Sequence, residues 1–215
     1  MLSKRLYEIS RLIEKDKVVF DVGSDHGLLP CFLVKEGICP KAYAGDNKEG
    51  PLSRAKETIR KCHLEGKVIP VLGDGIENIA DDVNIITICG MGFHTVKHIL
   101  EGKDLSAYDY LVVQVNKDPD LLRQFISDNG YHIIDEIIVD DNFFYQVEIF
   151  DARGHNSYGA IEIKYGPCLL RKRDDDFIRY LKFLRKMHHD IYLRSKDQNR
   201  LKEIEEIDAI LNNEY

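Results

Sequence analysis

Short apolar runs alternate with amphipathic segments through the first 130 residues of the chain. We interpret five of these runs as strands, because the segments between them carry apolar residues at helical spacing. Residues 85–89 are all apolar or threonine, as expected for a central strand that is covered on both faces. This alternation predicts a parallel, doubly wound α/β sheet with right-handed crossovers. The predicted strands are residues 17–22, 41–46, 68–72, 83–89 and 110–115.

The alternation ends near Gly130. Two strand-like runs follow, at residues 131–139 and 143–150, and the polar residues between them predict a hairpin. Five parallel strands closed by an antiparallel hairpin make a seven-stranded sheet. A dinucleotide-binding dehydrogenase domain has six parallel strands, so the pattern favours the Rossmann-like fold of class I methyltransferases.

The C-terminal segment has a different pattern. Glycine and proline are absent after Asp174, and two apolar stripes at helical spacing flank the polar residues 195–199. Two antiparallel helices that form a small coiled-coil hairpin are the natural interpretation. We therefore predict two domains, residues 1–168 and residues 169–215. The stripes consist of Phe177, Tyr180, Leu181, Leu184, Met187 and Ile191, and of Leu201, Ile204, Ile207 and Leu211.

The composition, with 44% hydrophobic and 31% charged residues, indicates a soluble globular protein. No apolar run is long enough to span a bilayer, and the N-terminal residues lack the apolar core of a secretory signal. The five cysteines are scattered among apolar neighbours without metal-type spacing. We therefore expect reduced thiols, no bound metal, no membrane partner, a cytoplasmic location and a monomer.

The formal net charge of −7 argues against a nucleic-acid partner, but the charge is unevenly distributed. Residues 171–202 contain 11 basic and 5 acidic residues. Local charge is what a phosphate backbone meets, so this segment is a candidate phosphate-binding surface. An ordinary solvated helix surface remains an equally good interpretation.

The candidate chemistry begins where the first predicted strand ends. Asp21 is followed by small residues, and Gly23 and Gly27 permit positive φ and the close approach of a ligand. The spacing acidic-x-Gly-x-x-x-Gly matches the fingerprint of S-adenosylmethionine-dependent methyltransferases better than the Gly-x-Gly-x-x-Gly of dinucleotide enzymes. Ligands of an open α/β sheet bind outside the carboxyl ends of its strands, and five consecutive ends here carry small or polar residues.

Each strand end has an expected role. Asp46 can accept hydrogen bonds from both ribose hydroxyls of a nucleoside, and Asp74 can accept one from an adenine amino group. The loop after the fourth strand should separate cofactor from acceptor, where Gly90 leaves room for a base and Met91 offers an adaptable apolar contact. Taken singly, the glycines can be turn residues, the aspartates helix caps, and His26 a capping histidine. The predicted cofactor-binding set is Asp21, Gly23, Ser24, Asp25, His26, Gly27, Asp46, Asn47, Asp74, Gly75, Cys89, Gly90 and Met91.

These motifs resemble the bacterial tRNA (adenine-22-N1)-methyltransferases, the TrmK family. Two elements carry most of the resemblance, Gly23-Ser24-Asp25-His26 and Gly90-Met91-Gly92. It runs in order through residues 2–167, and the family also ends in a helical coiled coil. Further matching elements are Leu2-Ser3-Lys4-Arg5-Leu6, Leu29-Pro30, Ala44-Gly45, Gly50-Pro51, Gly73-Asp74-Gly75, Ile86-Thr87-Ile88, His98-Ile99-Leu100-Glu101, Gln114, Asn116 and Gly166-Pro167.

The resemblance implies S-adenosyl-L-methionine as cofactor, tRNA as partner and methylation at N1 of adenine 22. It places the cofactor at residues 21–26, Asp46 and Asp74, and the acceptor adenine near residues 90–92 and 114–116. The candidate catalytic residues are Asp25, Gly90, Met91, Gln114 and Asn116. The chain departs from the family pattern in having Gly27-Leu28 for Ala-Tyr, Asp46 for glutamate, Phe93 for a second glycine and Val115 for proline.

N1 of adenine carries a lone pair, so the task of such an enzyme is mainly alignment in a pocket largely free of water. N1 also lies on the Watson–Crick edge, so the base must be unpaired or extruded. Asn116, Asp25 or a backbone carbonyl near Gly90 is a candidate acceptor for the adenine amino group. Phosphate contacts are predicted for Lys4, Arg5, Arg11, Arg171, Lys172, Arg173, Lys182, Arg185 and Lys186.

Three other functions stay open at this level. An NAD-dependent oxidoreductase can have a similar sheet, although the dinucleotide fingerprint and sixth parallel strand are missing. A methyltransferase with another RNA, a protein or a small molecule as acceptor is compatible with the departures. A non-catalytic tRNA-binding relative would retain the fold, but it would not need the acidic strand ends.

Overall fold

Buried apolar strands form a seven-stranded sheet at the centre of the fold. The computed structural model describes residues 2–214; residues 1 and 215, the outer ends of the two predicted domains, lie outside the described residues. The strands are β1 (Val19–Val22), β2 (Ala42–Asp46), β3 (Val68–Leu72), β4 (Ile85–Met91), β5 (Tyr110–Val115), β6 (His132–Asp140) and β7 (Phe144–Asp151). The helices are α1 (Lys4–Ser10), α2 (Leu28–Lys35), α3 (Glu49–Lys61), α4 (Phe93–Leu100), α5 (Pro119–Asp128), α6 (Ala160–Tyr165), α7 (Pro167–Lys172), α8 (Asp175–Ser195) and α9 (Gln198–Leu211).

The strand order is β3-β2-β1-β4-β5-β7-β6. Strands β1 to β5 are parallel, and β7 is antiparallel to both β5 and β6. The predicted doubly wound sheet with its closing hairpin is therefore confirmed. The chain runs outward from β1 to β3 and then places β4 on the other side of β1. This change of direction makes a topological switch point between β1 and β4, where α/β sheets bind ligands.

Alternating side chains of the central strands fill two apolar layers, one on each face of the sheet. Ile86 of β4 packs in one layer with Val96 of α4. Its neighbour Ile85 packs in the other layer with Ile9 of α1 and Leu33 of α2. All five side chains are fully buried. Coverage on both faces explains why β4 has a continuous apolar run rather than an alternating pattern.

A third apolar core joins the C-terminal helices to the sheet. Ile138 of β6 packs with Leu169 of α7 and Phe177 of α8. Helices α8 and α9 contact each other, as the predicted hairpin requires, and its coiled-coil character stays a prediction. The short helices α6 and α7 have no counterpart among the predicted elements. The predicted boundary between residues 168 and 169 falls inside α7. The division into two domains stays a prediction, and the hairpin shares its core with β6.

A buried polar cluster ties α5 to the closing strands. Arg123 of α5 donates from Nε to Glu136 Oε1 at 2.5 Å and from Nη2 to Gln146 Oε1 at 2.6 Å. Glu148 Oε1 lies 3.1 Å from the same Nη2. The N–H of Cys168 donates to Glu136 Oε2 at 2.8 Å, which adds α7 to the cluster. Burial raises the pKa of Glu148 to about 8, and the nearby Arg123 guanidinium opposes this increase.

The cysteines are free thiols. Burial raises the pKa of Cys31 and of Cys39 to about 12, which keeps both in the unreactive thiol form. Within residues 2–214, no group of three or more His, Cys, Asp or Glu side chains is arranged to hold a metal ion. Across the same residues, no helix combines the length and the apolar character needed to cross a membrane.

Candidate active site

The turn between β1 and α2 runs close to β2. Gly23 and Gly27 both have positive φ, at +67° and +65°. The N–H of Ser24 donates to the carbonyl of Gly45 on β2 at 2.9 Å, and the N–H of Gly27 donates to the carbonyl of Ser24 at 2.9 Å. A Cβ at Gly23 would overlap the end of the Met91 side chain. Glycine at position 23 therefore leaves the backbone exposed at the switch point.

A crevice opens at the carboxyl ends of β1, β2, β3 and β4. Its volume is about 500 Å³, within the usual range of small-molecule sites. Residues from four separate strand ends line it, as expected for the ligand site of a doubly wound sheet. The predicted cofactor-binding residues in its lining are Gly23, Asp46, Asn47, Asp74, Gly75 and Met91.

Two carboxylates supply the acceptors of the crevice. Asp46 Oδ1 accepts from the N–H of Lys48 at 3.0 Å, and Asp74 Oδ1 accepts from Asn47 Nδ2 at 3.5 Å. The N–H of Gly73 donates to the carbonyl of Asp46 at 3.1 Å and so holds the ends of β2 and β3 together. Within residues 2–214, Oδ2 of neither carboxylate has a hydrogen-bond partner. Both carboxylates therefore retain acceptor capacity for hydroxyl or amino donors.

Asp21 lies beneath the turn rather than in the crevice lining. It is 6% exposed, and its Oδ1 accepts from Thr87 Oγ1 on β4 at 2.7 Å. Burial raises the pKa of Asp21 to about 6, and the hydroxyls of Ser24 and Thr87 partly oppose this increase. Asp21 thus joins β1 to β4 directly under the turn.

A bulge at Gly90 shapes the end of β4. The pairing with β5 shifts between Cys89 and Met91, and Gly90 has φ +88°. Asn116, which follows β5, donates from its N–H to the carbonyl of Met91 at 2.8 Å and from Nδ2 to the carbonyl of Gly90 at 2.6 Å. The exposed amide of Asn116 is therefore fixed beside the crevice.

Gln114 is fully buried behind this amide. Its Nε2 donates to the carbonyl of Val115 at 2.6 Å and, more weakly, to Asn116 Oδ1 at 3.4 Å. Its Oε1 accepts from Arg5 Nη1. The Arg5 guanidinium also lies 5.0 Å from the centre of the Tyr145 ring. These contacts favour a positioning role for Gln114, and its catalytic assignment stays a prediction.

Several predicted cofactor residues lie outside the crevice lining. Asp25 accepts from Arg54 Nε on α3 at 3.0 Å, and His26 Nε2 lies 3.5 Å from Asp25 Oδ2. Helix α3 follows β2, so Asp25 is held on the β2 side of β1, whereas the Gly90 bulge is on the opposite side. Gly27 lies against Ala55 of α3, and Cys89 is a half-buried thiol whose pKa burial raises. Their assignments stay predictions, and this geometry favours Asn116 over Asp25 as an acceptor-side group.

One wall of the crevice consists of residues that the sequence motifs do not indicate. Thr95, His98 and Ile99 of α4 line it, as do Lys48 and Pro51 near the start of α3. The first three recur at helical spacing directly after the central strand. That spacing, combined with the switch-point rule, is the signal that identifies the wall.

The predicted phosphate-binding residues of α8 differ in their contacts. Lys182 and Lys186 are exposed and belong to no ion pair among residues 2–214. Arg185 donates from Nε to Asp208 of α9 at 2.5 Å. Lys182 and Lys186 are therefore the members of this group that the fold leaves available to an anionic partner.

The remaining predicted basic residues make internal contacts. Lys172 binds Asp135 at 2.8 Å, and Arg173 donates to the carbonyl of Ile210 at 2.6 Å near the end of α9. The other contacts are those of Arg171 Nη2 with Cys168 Sγ at 3.2 Å, Lys4 Nζ with the carbonyl of Asp140 at 2.9 Å, and Arg11 with Glu8 at 3.1 Å. Their predicted RNA contacts remain untested.

Comparison with known proteins gives a consistent result. A family model described as "Methyltransferase domain" matches residues 2–148. The tRNA (adenine(22)-N(1))-methyltransferase of Bacillus subtilis is 33% identical over 197 residues, which cover 87% of this chain and 82% of that protein.

Two solved structures agree with this comparison. A Streptococcus pneumoniae protein in complex with S-adenosyl-L-methionine has a TM-score of 0.88 and 29% identity, over 98% of this chain and 100% of that one. The B. subtilis M1A22 tRNA methyltransferase TrmK has a TM-score of 0.76 and 27% identity, over 99% and 98% of the two chains. Both likenesses extend beyond the sheet to the C-terminal helices.

Proposed function

Because this chain belongs to the family of tRNA (adenine(22)-N(1))-methyltransferases, we propose that it transfers a methyl group from S-adenosyl-L-methionine to N1 of adenine 22 in tRNA. The observation that carries the proposal is the meeting of Asp46, Asp74 and the Gly23 backbone in one crevice at the switch point. A hydride-transferring enzyme would need the dinucleotide fingerprint, which this turn lacks.

The crevice fits the proposed cofactor in volume and in donor chemistry. Its volume of about 500 Å³ is suitable for a nucleoside with an amino-acid tail. Asp46 would accept from ribose hydroxyls and Asp74 from the adenine amino group, since both retain unpaired carboxylate oxygens. Gly23 would let the backbone approach the cofactor closely, because it has no Cβ and adopts φ +67°. The cofactor supplies an electrophilic methyl group, and the protein supplies the alignment.

On the acceptor side, Asn116 is the residue that the geometry favours for orienting adenine. Its Nδ2 donates to the carbonyl of Gly90 at 2.6 Å, whereas its Oδ1 accepts only a long contact from Gln114 Nε2 at 3.4 Å and so retains acceptor capacity. Accepting from the exocyclic amino group of adenine would raise electron density at N1 and stabilise the positive charge that methylation creates. Met91, beside it, would contact the face of the base and exclude water.

The proposal includes a cytoplasmic location, where tRNA is found, and a monomeric state. Light scattering with and without tRNA measures the oligomeric state directly.

The test is methylation of two tRNA transcripts that differ only in adenine or guanine at position 22. We expect labelled methyl transfer to the first transcript alone, with mass spectrometry detecting 1-methyladenosine at that position. Equal labelling of both transcripts would assign the acceptor elsewhere. Absence of labelling, with S-adenosylhomocysteine still bound, would favour the non-catalytic relative.

A further inference from the structure

A second cavity lies at the same edge of the sheet, between the end of β5, the β6–β7 turn and α8. We refer to it as the aromatic cavity. Its volume is about 560 Å³, comparable to that of the crevice. None of the cofactor-binding residues predicted from the sequence lines it. Its lining consists of Asn116, Lys117, Asp140, Asn142, Phe143, Phe144, Tyr145, Tyr180 and Phe183.

Two of the aromatic rings in this lining are exposed to solvent. Phe143 is 70% exposed and Phe183 is 51% exposed. Phe144 lies between α8 and the turn, with its ring centre 5.5 Å from that of Tyr180 and 5.3 Å from that of Phe183. Asn142, which precedes Phe143 in the turn, adopts φ +62°. Exposed rings that pack against half-buried ones are available for stacking with a flat partner.

The aromatic cavity is adjacent to the candidate acceptor site. Asn116 lines the cavity, and the same residue binds the carbonyls of Gly90 and Met91 at 2.6 and 2.8 Å. Met91 in turn lines the crevice. Asn116 therefore lies between the candidate acceptor site and the aromatic cavity.

The charge around the cavity suits a nucleic acid. Lys117 lines it, and Lys182 and Lys186 flank Phe183 on α8; all three are exposed and have no ion-pair partner within residues 2–214. The acidic residue of the lining, Asp140, lies 3.4 Å from Arg179 and is thereby compensated. Aromatic rings among unpaired lysines form the usual binding surface for single-stranded RNA, where rings stack on bases and lysines contact phosphates.

We propose that the aromatic cavity binds an unpaired nucleobase of the tRNA adjacent to the target adenine, by stacking on Phe183 and Phe143. The inference rests on the proposed function and adds a second contact point on the substrate. A neighbouring base held there would pull the strand away from its helix and present adenine 22 to the crevice. Any base can stack on an aromatic ring, so the cavity would bind the RNA strand independently of its sequence.

The experiment compares Phe183→Ala with Leu193→Ala, a control on the same helix that is 53% exposed and outside the cavity. We expect Phe183→Ala to raise the Kd and KM for tRNA about 10-fold, since a base stacked on an aromatic ring contributes about 5- to 100-fold in affinity. Phe183→Tyr should bind tRNA with the affinity of wild type, because tyrosine retains the aromatic ring. Binding of S-adenosylhomocysteine should stay within about 2-fold of wild type for all three variants.

A tRNA series with one abasic nucleotide at each position beside the target identifies the base. At the contacted position, Phe183→Ala should cause no further loss, because the partner of the ring is already missing. Equal tRNA affinity for wild type and Phe183→Ala would overturn the inference while leaving the methylation result intact. The inference would also be overturned if the wild-type protein were a dimer, and if Phe183→Ala dissociated that dimer without changing the KM for tRNA. Failure of wild type to methylate any tRNA would instead refute the proposed function.

Discussion

The crevice and the aromatic cavity lie on the same edge of one sheet and have similar volumes, about 500 and 560 Å³, yet their linings differ in chemistry. Asp46 and Asp74 provide negative charge in the crevice, beside glycine backbone. The aromatic cavity has Phe143 and Phe183 with unpaired lysines around them. The first lining suits a ligand with hydroxyl and amino donors, and the second suits bases and phosphates.

The difference between the two linings indicates how one sheet can bind two ligands selectively. The carboxylates of the crevice would repel a phosphate backbone, and the exposed rings of the aromatic cavity would favour a flat base. Asn116 lies between the two cavities, because it lines the aromatic cavity and also donates to the carbonyl of Gly90 at the end of β4. A substitution in the crevice should therefore leave the Kd for tRNA unchanged, and one in the aromatic cavity should leave the Kd for the cofactor unchanged. A residue whose substitution changes both constants contributes to both sites.

The largest effect is expected from Asp46→Asn. The amide oxygen still accepts from the N–H of Lys48, so the turn is preserved, but one charged acceptor becomes a donor. We expect the Kd for S-adenosylhomocysteine to rise about 100-fold, or about 3 kcal/mol, by calorimetry. The Kd for tRNA should change less than about 2-fold.

Asp81→Asn is the control for this change, since Asp81 is an exposed aspartate outside the crevice. Similar losses in both variants would show that general charge, and not the carboxylate of the crevice, binds the cofactor. Asp46→Glu should restore binding, because the longer carboxylate keeps the charge.

A smaller effect concerns two buried carboxyls, Asp21 on β1 and Glu148 on β7. Burial raises the pKa of Asp21 to about 6 and that of Glu148 to about 8, so the folded state binds more protons than the unfolded chain. The free energy of unfolding must then fall as pH rises, between about 4 and 6 for Asp21 and between about 4.5 and 8 for Glu148.

Glu148→Gln should remove the second of these slopes. We expect the variant to gain roughly 3 kcal/mol on wild type between pH 5 and pH 8, as measured by urea unfolding. The exposed Glu205→Gln is the control and should follow wild type throughout. A variant that is less stable than wild type by the same amount at both pH values would show that Glu148 is charged in the folded protein.

The smallest effect is expected from Lys182→Ala beside the aromatic cavity. Loss of one phosphate contact should raise the Kd for tRNA about 3-fold and reduce the salt slope of binding by about 1. Lys202→Ala on α9 is the control, because Lys202 is equally exposed on the same hairpin. A matching loss in the control would mean that tRNA binds the hairpin by its overall charge.

Much of the crevice could be predicted from the sequence, because it is built from local signals at the ends of strands. Gly23, Asp46 and Asp74 each follow an apolar run directly, and the switch-point rule brings such ends together. Asp25 shows the limit of this reasoning. Its neighbours in sequence suggest the crevice, but Arg54 of another helix holds its carboxylate elsewhere.

The aromatic cavity and the buried cluster could not be predicted in the same way. Phe143 and Phe183 are far apart in the sequence, and each fits an ordinary apolar pattern. The contacts of Arg123 with Glu136 and Glu148 join three elements, and no spacing along the chain indicates them. Helices α6 and α7 are only 6 residues each, too short for a periodic pattern to develop.

The order of the two cavities along the chain has a consequence for synthesis. All residues that line the crevice lie between Val22 and Ile99, and those of the aromatic cavity lie between Asn116 and Phe183. A polypeptide leaving the ribosome therefore exposes every crevice residue before the first residue of the aromatic cavity. Because a domain folds as a unit and β4 pairs with β5, we expect the crevice to form only after β5 has been made, and the aromatic cavity only after α8.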